Sequence, residues 1–294
     1  MLLTSRTRRL GAVLLVSSLV ASCSSAATRP APPVVPSLHR LTDPPVPSTF
    51  PWPSEGQASY TLDGRTYDSP RQYPVPIASV AKVMTAYLVV HHLTPRASLV
   101  VHRRDVADTI RRRARGESVI DVATGEVLTR DQALTALLLP SANNVAAMLA
   151  VQVSGSRRAF VGLMNRTAAE LGMPSTSYTD PSGFASSTVS TAHDQLVLLR
   201  AALGSSALTR IMRQQSAVLP VAGIVRNTNA LLGQDGFVAG KTGSTSLAGG
   251  CLVFRVLRGG RVLDGAVLGQ RGGRLIDAGL SGARTLADEA YERG

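Results

Sequence analysis

Three short polar clusters carry the chemistry this sequence can do. The first is Ser79-Val80-Ala81-Lys82. A serine and a lysine three apart on a helix share one face, with Cβ atoms about 5–6 Å apart. An uncharged amine so placed can take the hydroxyl proton and leave a nucleophile. The second cluster, Ser141-Ala142-Asn143, follows Pro140 in a turn between two helical patterns. Its serine can relay a proton, and its asparagine offers both a donor and an acceptor to an amide. The third is Lys241-Thr242-Gly243, followed by Ser244, on a strand pattern. Lysine and threonine can hold a carboxylate there, and glycine lets a second backbone come close. Singly, each cluster has an ordinary reading: a helix cap beside a surface lysine, a capping turn, and a lysine on a strand edge.

Lysine usage strengthens the chemical reading. Of the 31 basic residues, only Lys82 and Lys241 are lysine. Arginine serves wherever a surface charge will do. Arginine does not give up its proton in a protein, whereas a lysine amine can be made neutral by burial or a nearby charge. A site that needs a basic lone pair can use lysine and not arginine.

These residues need a scaffold. Tyr60–Leu62 and Arg65–Tyr67 read as strands around an Asp63-Gly64 turn. Residues 77–93 are apolar at helical spacing, which predicts a buried helix with Ser79 near its start. Thr129 and Gln132 fit a capping box, opening a helix over 131–139. Further helices are expected over 144–153, 159–171 and 275–291. Residues 237–243 read as a strand, and 251–258 and 261–268 as a hairpin turning at Gly259-Gly260. Strands at both ends with helices between them predict an α+β domain, in which one antiparallel sheet joins N- and C-terminal strands beside a central helical region.

In the order SxxK, SxN, KTG, the three clusters resemble those of the penicillin-recognising serine hydrolases. The segments Leu137 to Ala146, Thr179-Asp180-Pro181-Ser182-Gly183, Asn227 to Leu232 and Gly240 to Thr245 are similar to the D-alanyl-D-alanine carboxypeptidases of the S11 family. The resemblance runs over about residues 58–290 and implies a β-lactamase/transpeptidase-like fold. It implies Ser79 as nucleophile, Lys82 as base and Ser141 as proton relay. It also implies Asn143, Lys241, Thr242, Gly243 and Ser244 as substrate-binding residues, with the Ser79 and Ser244 N–H groups as oxyanion donors. The substrate would be the D-alanyl-D-alanine end of a peptidoglycan stem peptide, and β-lactams would acylate Ser79. No cofactor or metal is implied. Ala81 and Asn144 stand where relatives often carry threonine and aspartate. A D,D-endopeptidase acting on cross-links would use the same residues. A β-lactamase would also need a water-activating glutamate, for which Glu170 is the nearest candidate, although it reads better as a helix-end surface residue. An inactive wall-binding lipoprotein is a non-enzymatic alternative. Arg274 is a candidate second carboxylate ligand.

The N-terminal region reads differently. Arg6, Arg8 and Arg9 precede an apolar run over 10–20 and then Ala21-Ser22-Cys23. The pattern predicts an export signal over 1–22. Cys23 sits where bacterial lipoproteins are acylated, which implies a lipid anchor on the outer face of the membrane. Nine prolines fall within residues 30–53, so 23–54 is expected to act as a tether to a folded domain over 55–294. With Cys23 lipidated, Cys251 has no disulfide partner and reads as a small buried hydrophobe. The net charge is +12, but aromatic residues make up only 4%, which speaks against nucleic-acid binding. Arg111 to Arg115 reads as a solvated arginine-rich loop, the alternative being a patch that attracts anionic wall polymers or lipid headgroups. The five histidines lack HExxH spacing.

Overall fold

The computed structural model describes residues 50–293. The export signal, Cys23 and most of the proline-rich tether lie outside the described residues.

The chain opens with strands β1 (Gln57–Leu62), β2 (Arg65–Asp68) and β3 (Val75–Pro76). A 3-10 turn, Ala78–Ala81, runs directly into α1 (Lys82–His92). There follow β4 (Ser98–Val100), α2 (Arg103–Ala114), β5 (Val127–Thr129), α3 (Arg130–Leu138), α4 (Asn143–Ser154) and α5 (Arg157–Glu170). Next come β6 (Val189–Ser190), α6 (Ala192–Leu203), α7 (Ser206–Met212), and a hairpin of β7 (Ser216–Leu219) and β8 (Gly223–Arg226). The chain closes with β9 (Phe237–Thr245), β10 (Gly249–Arg258), β11 (Arg261–Gln270) and α8 (Leu275–Arg293).

The main sheet has the order β2-β1-β11-β10-β9. All its pairings are antiparallel, and β1 joins the C-terminal strands through β11. The expected α+β arrangement is therefore observed. Two of its turns follow from local chemistry. Asp63-Gly64 and Gly259-Gly260 all have positive φ, as a two-residue turn matched to the strand twist requires. One apolar core lies between the helical region and the sheet, around Leu134, Leu149, Phe160 and Val253. A second lies between the sheet and α8, around Phe237, Phe254, Leu280 and Leu286. The sheet is thus covered on both faces, and β9 forms one of its edges.

Helix boundaries follow their caps. Thr129 accepts from the Gln132 N–H while the Gln132 side chain accepts from the Thr129 N–H. Such a cap is worth about 1 kcal/mol. Gly155, at φ 72°, ends α4. Ser156 then opens α5 by accepting from the Ala159 N–H.

The Arg111 to Arg115 stretch corrects the sequence reading: most of it is the end of α2, not a solvated loop. Arg112 is buried because two acids neutralise it, Asp108 at 2.6 Å and Glu117 at 2.7 Å. Cys251 is buried as expected. Its Sγ lies 3.7 Å from the Ala248 carbonyl, and burial pushes its thiol up to about 12.

Candidate active site

The Ser79 turn is built under close constraint. Ala78, just before it, holds φ at 47°, a conformation that costs a non-glycine residue of order 1–3 kcal/mol. Glycines press on it from both sides. A Cβ on Gly183 would lie 1.8 Å from the Ala78 carbonyl oxygen, and one on Gly243 would lie 2.9 Å from the backbone nitrogens of Ser79 and Val80. Gly243 therefore lets β9 lie directly against the turn, in the role the sequence assigns to it. Ser79 itself stays partly exposed.

Lys82 is the first residue of α1 and has no solvent exposure. Its Nζ lies 2.8 Å from Ser79 Oγ and donates to the Ser182 carbonyl at 2.9 Å. Burial pushes this amine well below its ordinary value, and the charge of Lys241 pushes the same way; Asp180 and Glu117 oppose. An amine so depressed, at hydrogen-bond distance from a serine hydroxyl, has the placement a general base requires.

The second cluster lies where α3 gives way to α4. Ser141 is buried at φ 66°. Among the described residues its Oγ has no partner, and neither has Asn143 Oδ1. Such buried groups cost about 1–3 kcal/mol each until something bonds them. Asn143 Nδ2, by contrast, donates to Glu117 Oε2 at 2.9 Å. Glu117 also accepts from Arg112 and Arg115. Burial raises its carboxyl, but the bonds from Asn143, Arg115 and Arg112 outweigh that and hold it below the usual carboxylate range.

The third cluster is tied to the second. Thr228 accepts or donates at 2.5 Å to Thr242 Oγ1, and its N–H donates to the Leu139 carbonyl at 3.2 Å. One residue thus links the end of the helical region to β9. Lys241 is fully buried, donates to the Thr242 carbonyl at 2.8 Å, and is lowered by burial to about 7. Ser244 is exposed on β9, paired in register with Gly250.

The structure therefore brings Ser79, Lys82, Ser141, Asn143, Lys241, Thr242 and Gly243 into one linked site, with Ser244 the next residue on its strand. Arg274 is not among them. It is mostly exposed beside Asp277 at the start of α8, next to a separate hollow bounded by Pro51 and Trp52. Glu170 is exposed at the end of α5, as its ordinary reading required. Three contributors escaped the sequence reading as site residues: Glu117, the Ser182 carbonyl and Thr228. Glu117 left a trace, as a lone acid after four nearby arginines. The carbonyl leaves none, because any residue has one.

A family model of D-alanyl-D-alanine carboxypeptidases, peptidase S11, matches residues 66–272. The chain belongs to the S11 family. Among S11 relatives, D-alanyl-D-alanine carboxypeptidase DacB2 of Mycobacterium tuberculosis is 36% identical over 196 residues, covering 64% of this chain and 64% of the relative. A D-alanyl-D-alanine endopeptidase of Escherichia coli is 34% identical over 193 residues, covering 62% of this chain and 59% of the relative. The matches thus span somewhat under two thirds of these relatives. The S11 chain also shares its fold with solved structures. An evolved penicillin-binding protein homologue from Mycobacterium tuberculosis superposes with TM-score 0.73 at 28% identity, covering 83% of this chain and 94% of that one. The Streptomyces K15 DD-transpeptidase superposes with TM-score 0.75 at 24% identity, covering 83% and 99%, a likeness of fold.

Proposed function

We propose that this S11 protein is a serine-type D-alanyl-D-alanine carboxypeptidase acting on peptidoglycan stem peptides. The observation that carries the reading is the buried Lys82 amine, 2.8 Å from Ser79 Oγ and depressed by burial and by Lys241. Lys82 takes the Ser79 proton, and Oγ attacks the carbonyl carbon between the two D-alanines. The C–N bond then breaks, and Ser141 passes a proton to the departing amine, so free D-alanine leaves. Asn143 aligns the peptide amide, and Lys241 with Thr242 holds the terminal carboxylate. The Ser79 and Ser244 N–H groups face the oxyanion. Water cleaves the ester and restores Ser79. β-Lactams present a comparable amide and acylate the same oxygen.

The test is mass spectrometry of the intact protein after penicillin. One adduct per chain, located on Ser79 and absent from Ser79→Ala, is expected; an unlabelled wild-type protein refutes the reading. The relatives named endopeptidases in three bacteria give weight to a second reading, cleavage of cross-links by the same residues. Free D-alanine among the products supports the first reading, and released dimer halves support the second. Export and lipidation at Cys23 belong to the same proposal and rest on the pattern over residues 6–23. Incorporation of a labelled fatty acid that is lost in Cys23→Ala tests them.

A further inference from the structure

A hollow of about 450 Å³ borders the acylation site, and the reaction described above leaves it without a task. That size suits a small ligand or a peptide side chain. Its walls come from the end of α2, the start of α5 and the 179–185 loop. It meets the active site at two residues: Ser182, whose carbonyl accepts from Lys82, and Glu117, which accepts from Asn143. A substrate arm entering it would diverge from the peptide right beside Asn143.

The charge in this hollow is one-sided. Its lining sets Arg112, Arg115, Arg157 and Arg158 against Glu117 and Asp180. Asp108, behind the lining, pairs with Arg112 at 2.6 Å and, against the burial that raises its carboxyl, is lowered in part by the charge of Arg157. Both lining acids are already engaged. Glu117 holds Arg112, Arg115 and Asn143. Asp180 accepts from the Ser182 N–H and Oγ and from Thr188 Oγ1. Among the described residues, Arg157 and Arg158 have no hydrogen-bond or ion-pair partner. They are also the first two residues of α5, where the opening N–H groups add partial positive charge. Other parts of the wall are apolar, with Val161, Ala185 and the 44%-exposed Phe184.

We propose that this hollow binds a carboxylate carried on an aliphatic side chain of the stem peptide, with Arg157 and Arg158 as its ligands. The identity of the substrate rests on the carboxypeptidase reading above; the anion site itself does not. The arginines supply charge and paired donors, and the apolar wall takes the arm. A wall polymer of repeating phosphates would meet the charge but leave that wall unused.

The experiment compares two peptides ending in D-alanyl-D-alanine. They differ only at the preceding residue, whose side chain ends in a carboxylate in one and in the amide in the other. The wild-type protein should favour the carboxylate peptide in kcat/KM by about tenfold to a hundredfold, the range of a charged hydrogen bond. The preference should collapse towards one in R157Q/R158Q and persist in R157K/R158K. Equal use of both peptides by the wild type, or a preference untouched in R157Q/R158Q, overturns the proposal. Calorimetric binding to Ser79→Ala separates this from the catalytic reading. If neither peptide is cleaved, yet the carboxylate peptide binds more tightly in an arginine-dependent way, the hollow keeps its role and the carboxypeptidase reading falls. Tighter arginine-dependent binding of a glycerol-phosphate oligomer than of the carboxylate peptide also overturns the proposal.

Discussion

Replacing Lys241 with methionine should make the protein more stable and stop it working. The Lys241 amine is fully buried, and its ordinary value of 10.5 falls to about 7. That difference corresponds to about 5 kcal/mol of folding stability. The sign follows from proton binding. Between pH 7 and 10.5 the unfolded chain holds a proton on this amine that the folded chain does not. Stability is therefore full above about 10.5, falls as pH drops through that window, and is lost in full below about 7. Methionine has nearly the same length and no charge to desolvate. It forfeits the hydrogen bond to the Thr242 carbonyl, worth about 1 kcal/mol. The net gain near pH 7 should be about 4 kcal/mol in urea unfolding. The gap between variant and wild type should narrow by about 1.4 kcal/mol for each pH unit above 7. Turnover of D-alanyl-D-alanine peptides should be lost, because the proposed carboxylate site loses its amine donor. A variant less stable than wild type by an amount independent of pH would refute the reasoning.

Lys82→Arg keeps the charge but removes the lone pair, and should slow penicillin acylation by at least about a hundredfold; unchanged labelling in a gel assay would remove Lys82 as the base. Gly243→Ala drives a Cβ to within 2.9 Å of two backbone nitrogens. It should cost about 1–3 kcal/mol in chemical denaturation and slow labelling of Ser79, as overpacking does. Glu117→Gln should lower kcat/KM by loosening Asn143. Since Glu117 raises the Lys82 amine, its removal should also move the acid limb of the kcat/KM profile to lower pH. An acid limb that stays in place would leave Glu117 a packing residue only.

The parts of this fold legible in the sequence are those encoded locally. The Asp63-Gly64 and Gly259-Gly260 hairpins and the Thr129 capping box declare themselves within a few residues. The two lysines stood out because arginine fills every other basic position. Helix α2 did not stand out: it is strongly charged, and the burial of Arg112 depends on Glu117, beyond the helix end. Asp108, four residues before Arg112, was the available hint. The two-residue pairing of β3 with β6 leaves almost no periodic signal, since its partners lie more than a hundred residues apart. Thr228 looked like an ordinary loop residue, and only the folded chain sets it between Leu139 and Thr242.

Gly183 and Gly243 clasp the Ser79 turn so closely that neither flank admits even a methyl group. A population of cells under pressure from drugs that modify Ser79 would find little freedom to escape by shifting the serine itself. Tolerated escape routes would instead lie at the entrance, at side chains such as Phe184 and Ser244 that solvent already reaches. Compounds anchored on the inner turn would on this ground meet resistance more slowly than compounds that depend on the rim.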